Sequence, residues 1–186
     1  MNFVEPIRDL EKLESMCAYL EETNPRNNVL FAMGIYTGLR VGDILKLRIK
    51  DVHDKKFITL KENKTGKTKP IEINPFLKRI LKEYTKDKNQ NEFLIKSREQ
   101  TNEAISRVRA YQIIRKTGEM FGVYNLGTHT MRKTFAYHYY KRTNDVVTLQ
   151  KLFNHAAPSI TLHYIGIEQD DLNKAYRNIK YFSSRV

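Results

Sequence analysis

The chain has very little cysteine, and this and other absences exclude several classes of protein. Cys17 is the single cysteine, so it cannot form an internal disulfide, and its apolar neighbours predict that it packs in the core. Five scattered histidines offer no four-residue zinc spacing. No apolar run approaches the roughly 20 residues of a membrane span. The first residues, MNFVEPIRDLEKLE, already include several charged side chains and have no signal-peptide pattern, so we expect a cytoplasmic protein.

Acidic residues are too few to balance the basic ones. The chain of 186 residues has 33 Lys and Arg against 21 Asp and Glu, which gives a formal net charge of +12. Such an excess implies a polyanionic partner and favours nucleic acid over a membrane surface. With 40% apolar residues, the chain is long enough for one domain with a substantial core.

The spacing of apolar residues, together with residues that typically begin or end helices, predicts a mostly helical α+β domain with a small antiparallel sheet. Helical spacing covers 9–22, and Gly38 stands where a second helix, beginning at Pro25, would end. Across 56–73 the helical spacing of apolar residues gives way to short β-rich runs on either side of the turn NKTGK, which predicts a β-hairpin. The run FLIKS fits either a brief strand or an extended link. Further helices are predicted at 41–49, 75–87, 101–122, 129–142, 145–155, 158–164 and 168–182.

Four short motifs carry residues that together could hold a phosphate and attack it. They are Arg40 in TGLRVGD, His129 and Arg132 in HTMR, His155 in LFNH, and Tyr164 in HYIG, nine residues after His155. Arginine suits phosphate because it has a permanent charge and a planar fork that binds two oxygens. Taken alone, each residue has an ordinary explanation as a surface charge, a packing histidine or one of 11 tyrosines. Their joint occurrence in this order is improbable by chance.

Together the motifs resemble the tyrosine recombinase (phage integrase) family, and the resemblance covers nearly the whole chain. It implies the family's catalytic-domain fold, a helical domain with a three-stranded sheet on one side. It also implies that Tyr164 attacks a DNA phosphate, leaving a 3′-phosphotyrosyl enzyme and a free 5′-hydroxyl. The 5′-hydroxyl of a partner strand then attacks that linkage. Because covalent catalysis conserves the phosphodiester energy, no metal, nucleotide or other cofactor is expected.

The resemblance also implies a role for each motif residue. Arg40 and Arg132 match the two phosphate-binding arginines, and His155 matches the histidine that hydrogen-bonds the phosphate. A phenol with a pKa of about 10 needs help at neutral pH, and His129 matches the histidine placed to assist as base. Asp43 matches an acidic residue that supports the site from behind, although a plain surface carboxylate is the alternative.

The leaving 5′-oxygen needs a proton, which the family supplies from a lysine in a β-hairpin turn. The segment ENKTGKTKP holds three candidates, Lys64, Lys67 and Lys69. Lys64, in its Lys-Thr-Gly context, is the preferred general acid, and Lys67 is the main alternative.

Some residues depart from the family's pattern or compete with it. Family members commonly have glycine before the second histidine, where this chain has Asn154, a residue that tolerates unusual backbone angles. His163 is a rival to His155, although the nine-residue spacing to the tyrosine favours His155. His138 lies among aromatic residues and is expected to pack.

The resemblance predicts one catalytic domain over 1–186, with no core-binding or arm-binding domain. Such a chain is either an excised domain or a naturally minimal recombinase, and we expect weaker, more salt-sensitive binding to double-stranded DNA. In the family, a C-terminal helix such as 169–182 docks on a neighbouring protomer in a DNA-bound homotetramer. The alternative is a helix folded back on its own core, and the free protein is expected to be a monomer.

Rival functions remain at this point. A type IB topoisomerase uses similar chemistry but reseals the same strand, and a non-catalytic DNA-binding module would have lost a catalytic group. A basic RNA-binding domain would carry an aromatic-rich motif, which is missing here. The favoured prediction is a recombinase that integrates or excises a mobile element or prophage, acting at the nucleoid.

Overall fold

The structure is a computed structural model that describes residues 4–61, 68–99 and 101–179, without the side chains of Lys61 and Lys69. It divides into two compact units, Met1–Phe135 and Ala136–Val186. Helices dominate both units, and the sheet belongs to the first.

Three helices open the first unit, and side chains cap the first two of them. α1 spans Leu10–Thr23, α2 spans Pro25–Thr37 and the short α3 spans Val41–Ile44. Asn24 ends α1, and its side chain accepts a hydrogen bond from the backbone N–H of Asn27 in the first turn of α2. Gly38 ends α2 with φ 65°, the left-handed conformation that glycine adopts without steric cost. The predicted helix over 41–49 ends at Ile44, because the residues that follow bond to another segment: the Leu47 oxygen accepts the N–H of Leu94 at 2.8 Å. A 3-10 turn then spans Ile49–Asp51.

The predicted hairpin is present. β1 (Phe57–Lys61) pairs antiparallel with β2 (Thr68–Glu72), in a register that joins Phe57 to Glu72 and Lys61 to Thr68. The expectation of a three-stranded sheet is wrong for the described residues, which form these two strands and two isolated bridges.

The FLIKS segment explains why a third strand is missing from the described part of the chain. Its backbone bonds go to different neighbours: Leu94 donates to Leu47 (2.8 Å), whereas Ser97 donates to Glu103 (2.7 Å). Because neither neighbour runs alongside it for several residues, only single bridges form. The segment is therefore mainly an extended link.

Two further helices complete the first unit. α4 spans Pro75–Thr85, and α5 spans Arg107–Met120. The prediction that α5 begins at residue 101 is wrong, because Ile105 donates to the backbone oxygen of Ile95 (3.0 Å) and holds the preceding residues in an extended pairing. Ser106 then caps the helix, accepting from the backbone N–H of Arg109 at 3.0 Å.

The core of the first unit is built around α2, which packs against α1, α3, α4 and α5. Val29, Leu30 and Met33 on this helix are fully buried. Cys17 packs against the same core while half-buried, as the sequence predicts. Burial raises the pKa of its thiol to about 11, and the nearby carboxylates of Glu21 and Glu14 add to the shift, which disfavours the reactive thiolate form.

The second unit is helical in its described residues. α6 (Thr130–Thr143) begins in the first unit and continues into the second, where α7 (Val146–Phe153), α8 (Pro158–Ile165) and α9 (Ile167–Asn178) follow. The predicted helix over 169–182 ends at Asn178, and 180–182 lie outside the described residues. Among the helices that the structure describes, none is long and apolar enough to cross a membrane.

Candidate active site

Arg40 lies at the junction between α2 and α3, as the sequence predicts. It stands at the position before α3 with an extended backbone (φ −70°, ψ 143°), and its side chain is exposed. Within the described part of the chain, no carboxylate pairs with its guanidinium. Gly38 makes this junction possible, since a Cβ there would lie 2.6 Å from Cδ1 of Phe135. The local fold therefore presents a permanent positive charge on the surface of the first unit.

Arg132 is held differently. It lies on the first turns of α6, is only 7% exposed, and donates from its guanidinium to the backbone oxygen of Gly38 at 2.6 Å. The bond joins α6 to the same loop that carries Arg40. The structure thus brings the two predicted phosphate-binding arginines together, and a main-chain oxygen orients the buried one.

His129 lies in the turn just before α6, and its backbone oxygen accepts the N–H of Lys133 at 2.8 Å. The residue is exposed, but partial burial of the imidazole lowers its pKa, and the positive charges of Arg132, Arg40 and Lys133 lower it further. The shift favours the neutral form of the imidazole, which can accept a proton. The bond from Arg132 to Gly38 and these charge interactions together place His129, Arg132 and Arg40 in one cluster within the first unit.

Asp43 lies on α3, and its backbone N–H donates to the oxygen of Arg40 at 2.9 Å. Its carboxylate makes no hydrogen bond or ion pair with a described residue, so its supporting role stays a prediction. Lys64 and Lys67 lie outside the described residues, and so does the side chain of Lys69.

Sequence reasoning missed Arg107, which comes close to the α3 turn. A Cβ at Gly42 would lie 2.7 Å from a terminal nitrogen of the Arg107 guanidinium, so this exposed side chain lies against the turn that carries Arg40. The only sequence signal was Ser106, a good cap one residue before it. A further positive charge therefore lies against Gly42 in the α3 turn.

The second unit holds His155 and Tyr164. α7 ends at Asn154 with φ 59°, which confirms that asparagine adopts the left-handed turn expected of glycine. The next residue, His155, faces Thr161 through Nδ1 (2.9 Å to Oγ1), and its ring centre lies 5.4 Å from that of Tyr164. Phe153 packs edge-on against Tyr164 at 5.6 Å. The turn between α7 and α8 therefore brings the second histidine and the tyrosine into contact.

The two other histidines of the second unit have different surroundings. His163, the rival to His155, is exposed on α8 and approaches a carboxylate oxygen of Glu168 at 3.0 Å. His138 packs edge-on against Tyr137, with ring centres 5.3 Å apart. Neither observation gives these residues a part in phosphate chemistry.

Comparison with known proteins identifies the class. Residues 8–170 match the model of the Phage integrase family, and the chain belongs to that family. It is 46% identical over 177 residues to the probable integrase/recombinase YoeC of Bacillus subtilis (strain 168), covering 95% of this chain and 97% of that protein. It is 26% identical over 168 residues to the tyrosine recombinase XerA of Pyrococcus furiosus, but spans only 58% of its length.

Solved structures show the same fold. A crystal structure of XerA recombinase matches 95% of this chain and 67% of its own, with a TM-score of 0.74 at 20% identity. The catalytic domain of bacteriophage HP1 integrase matches 94% of this chain and 95% of its own, with a TM-score of 0.62 at 15% identity. The chain therefore has the tyrosine recombinase catalytic-domain fold, α+β and mostly helical with a small antiparallel sheet.

Proposed function

We propose that this protein is a site-specific DNA recombinase that cleaves and rejoins strands through a 3′-phosphotyrosyl intermediate. The observation that carries the proposal is the cluster of Arg40, His129 and Arg132, tied together by the bond from Arg132 to Gly38. Two guanidinium groups beside a neutral imidazole suit a phosphate that gains charge during attack. Family membership supports the same reaction class.

In the first step, the phenol oxygen of Tyr164 bonds to the scissile phosphorus and the bond from phosphorus to the 5′-oxygen breaks. Arg40 and Arg132 bind the non-bridging oxygens, and His129 takes the phenol proton. The leaving 5′-oxygen takes a proton from Lys64. In the second step, a 5′-hydroxyl of the partner strand attacks the phosphotyrosine, its proton passes to Lys64, and Tyr164 regains one from His129. The number of phosphodiesters is unchanged.

The surroundings of the two histidines support different roles. The lowered pKa of His129 favours the unprotonated imidazole, which is the form that a base requires. His155 is oriented by Thr161 through Nδ1, so we assign its Nε2 to the phosphate. In this scheme the supporting role of Asp43, three residues after Arg40, rests on its match to the family motif alone.

Double-stranded DNA is the proposed substrate. The net charge of +12 favours it, and similar folds include XerH bound to its difH substrate and a lambda integrase dimer bound to a core site. We propose that 1–186 acts as a catalytic domain that integrates or excises a mobile element. Assembly into a tetramer would use the C-terminal helix, where Leu172, Tyr176 and Ile179 are 53%, 72% and 54% exposed.

Covalent capture on nicked DNA tests the proposal. Wild type, Tyr164→Phe and the matched control Tyr124→Phe, which changes an exposed tyrosine to which no role is assigned, are incubated with nicked duplexes from the ends of the source element. EDTA is present, and an SDS gel separates protein–DNA adducts. We expect an adduct with wild type and Tyr124→Phe but not with Tyr164→Phe, while all three bind DNA in a gel shift.

Other outcomes have definite meanings. An adduct with Tyr164→Phe would refute the assigned nucleophile. Binding by wild type without any adduct would favour the non-catalytic module. An adduct together with relaxation of supercoiled DNA, but no joining of two sites, would favour a topoisomerase-like enzyme.

A further inference from the structure

A short segment ahead of α1, Val4–Arg8, lies along the turn that carries His129; we name it the strap. The backbone N–H of Glu5 donates to the backbone oxygen of Asn125 at 3.1 Å. The backbone N–H of Ile7 donates to the hydroxyl of Thr134 at 2.9 Å, although 127 positions separate these residues. Ile7 is 1% exposed, so the strap is part of the packed first unit.

The hydroxyl that receives Ile7 belongs to a chain of hydrogen bonds that defines the turn. Thr134 donates in turn to the backbone oxygen of Thr130 at 2.8 Å. The Thr130 hydroxyl accepts the backbone N–H of Gly127 at 2.9 Å, and the Thr130 N–H donates back to the Gly127 oxygen at 3.0 Å. Thr130 and Thr134 are 0% and 1% exposed, so water does not replace these bonds. His129 lies inside the loop that they close.

Packing and charge add to these bonds. A Cβ at Gly127 would lie 2.8 Å from Cγ2 of Val4, so the strap touches the turn with no space between them. Glu5 pairs with Arg8 on the strap. The charges of Glu5 and Arg8 both act on Lys133, the buried residue after Arg132. Burial lowers the pKa of Lys133, the negative charge of Glu5 opposes that shift, and the positive charge of Arg8 adds to it.

We infer that the strap is a positioning device for the catalytic turn, which it holds so that His129 and Arg132 face the phosphate together. This inference rests on the proposed function for its effect on catalysis. Arg132 is fixed from one direction by the Gly38 oxygen. The strap fixes the turn from the other direction through Ile7, Thr134 and Thr130. The strap residues act through their neighbours, so they are positioning residues.

The first test removes the hydroxyl of Thr134. Thr134→Val keeps the shape of the side chain but loses both hydrogen bonds, and Thr134→Ser keeps the hydroxyl. Thr143→Val is a matched control on α6, since the Thr143 hydroxyl also donates to a carbonyl four residues back (Tyr139, 2.9 Å) and accepts a backbone N–H (Asp145, 3.2 Å).

We expect covalent-adduct formation at saturating nicked duplex to be about 10-fold slower in Thr134→Val, because small misplacements of catalytic groups are costly. DNA affinity should be unchanged, and Thr134→Ser and Thr143→Val should react at the wild-type rate. A Thr134→Val protein that melts at a lower temperature but reacts normally while folded would overturn the inference and leave the strap only a stabilising role.

The second test displaces the strap without touching the turn's hydrogen bonds. Gly127→Ala pushes against Val4, and Val4→Ala in the same chain removes the atom that is pushed. We expect Gly127→Ala to slow adduct formation and the double variant to recover. Failure of Val4→Ala to restore the rate would show that the strap does not transmit the effect.

A third readout needs no DNA and therefore separates the strap from the proposed reaction. NMR of the His129 imidazole gives its titration midpoint in wild type and Thr134→Val. Because burial, Arg132, Arg40 and Lys133 lower this pKa, loosening the turn should raise the midpoint toward the usual value. An unchanged titration midpoint would overturn the positioning role of the strap, whatever the rate of adduct formation. A raised midpoint in a protein that never forms the Tyr164 adduct would support the strap and refute the recombinase.

Discussion

In the first unit, Arg132 bonds to a residue 94 positions away in sequence, whereas in the second unit His155 faces Thr161 only six positions away. The phosphate-binding cluster therefore exists only once the α2–α3 loop and the start of α6 have come together, which requires a large loop to close. The contact between His155 and Tyr164 needs only the turn between α7 and α8. One part of the candidate site depends on tertiary folding, and the other depends mainly on local structure.

Arg132, the long-range partner of Gly38, should be the most costly of these residues to replace. We expect Arg132→Ala to slow adduct formation by about 10²–10³-fold, the typical cost of losing one donor to developing negative charge. It should also destabilise the first unit by about 1–3 kcal/mol, because the buried Gly38 oxygen loses its hydrogen bond. Single-turnover cleavage and urea unfolding measure the two effects.

Arg142→Ala is the matched control for this change, since Arg142 is an exposed arginine of the same helix. It should retain wild-type cleavage and stability at moderate salt. Equal losses in the two variants would mean that general charge, not the position of Arg132, matters.

Two left-handed turns, at Gly38 and Asn154, precede site residues of the two units. Gly38→Ala places a Cβ at φ 65° and 2.6 Å from Phe135, so it should cost more than the roughly 1–2 kcal/mol of a left-handed backbone. Asn154→Ala, at φ 59°, lacks this clash and should cost less. Urea unfolding of both variants tests the order. A smaller loss for Gly38→Ala would contradict the packing of that loop.

Local contacts in the second unit should have smaller effects. Thr161→Val removes the hydroxyl that faces Nδ1 of His155 but keeps a buried side chain of similar shape. We expect cleavage to slow roughly 2- to 10-fold, the worth of one hydrogen bond, with unchanged DNA affinity. Thr161→Ser should restore the rate in the same single-turnover assay. A Thr161→Val enzyme as fast as wild type would mean that His155 needs no orientation.

The smallest expected effect is a shift in titration. Arg40 contributes to the lowered pKa of His129, so Arg40→Gln should raise that pKa. The neutral, proton-accepting form would then be lost at a higher pH than in wild type as the solution is acidified. NMR of the His129 ring measures the midpoint directly, with Arg142→Gln as control. A midpoint that falls or stays constant would contradict the clustering of Arg40 with His129.

Sequence reasoning predicted features that depend on side-chain type. Glycine at 38 predicted the end of α2, asparagine at 154 was expected to tolerate an unusual backbone angle, and short β-rich runs around a glycine-bearing turn predicted the hairpin. The roles of Arg40, His129, Arg132, His155 and Tyr164 rest on motif spacing and stay predictions until cleavage is measured.

Features that depend on backbone groups could not be predicted. The start of α5 was wrong because bonds from Ser97 and Ile105 hold the preceding segment extended, and helical spacing carries no sign of them. The bond from Arg132 to Gly38 and the bond from Ile7 to Thr134 were missed for the same reason. A backbone N–H or carbonyl is present at nearly every residue, so the amino-acid sequence does not show which of these groups forms a tertiary hydrogen bond.

The acceptor that orients Arg132 has a further consequence. A carboxylate at that place would neutralise part of the positive charge that a phosphate needs, whereas the Gly38 oxygen belongs to a neutral amide. The contact with the Gly38 oxygen therefore fixes the orientation of the guanidinium without neutralising its positive charge. It is also robust to mutation, because side-chain replacement can move a carbonyl but cannot delete it.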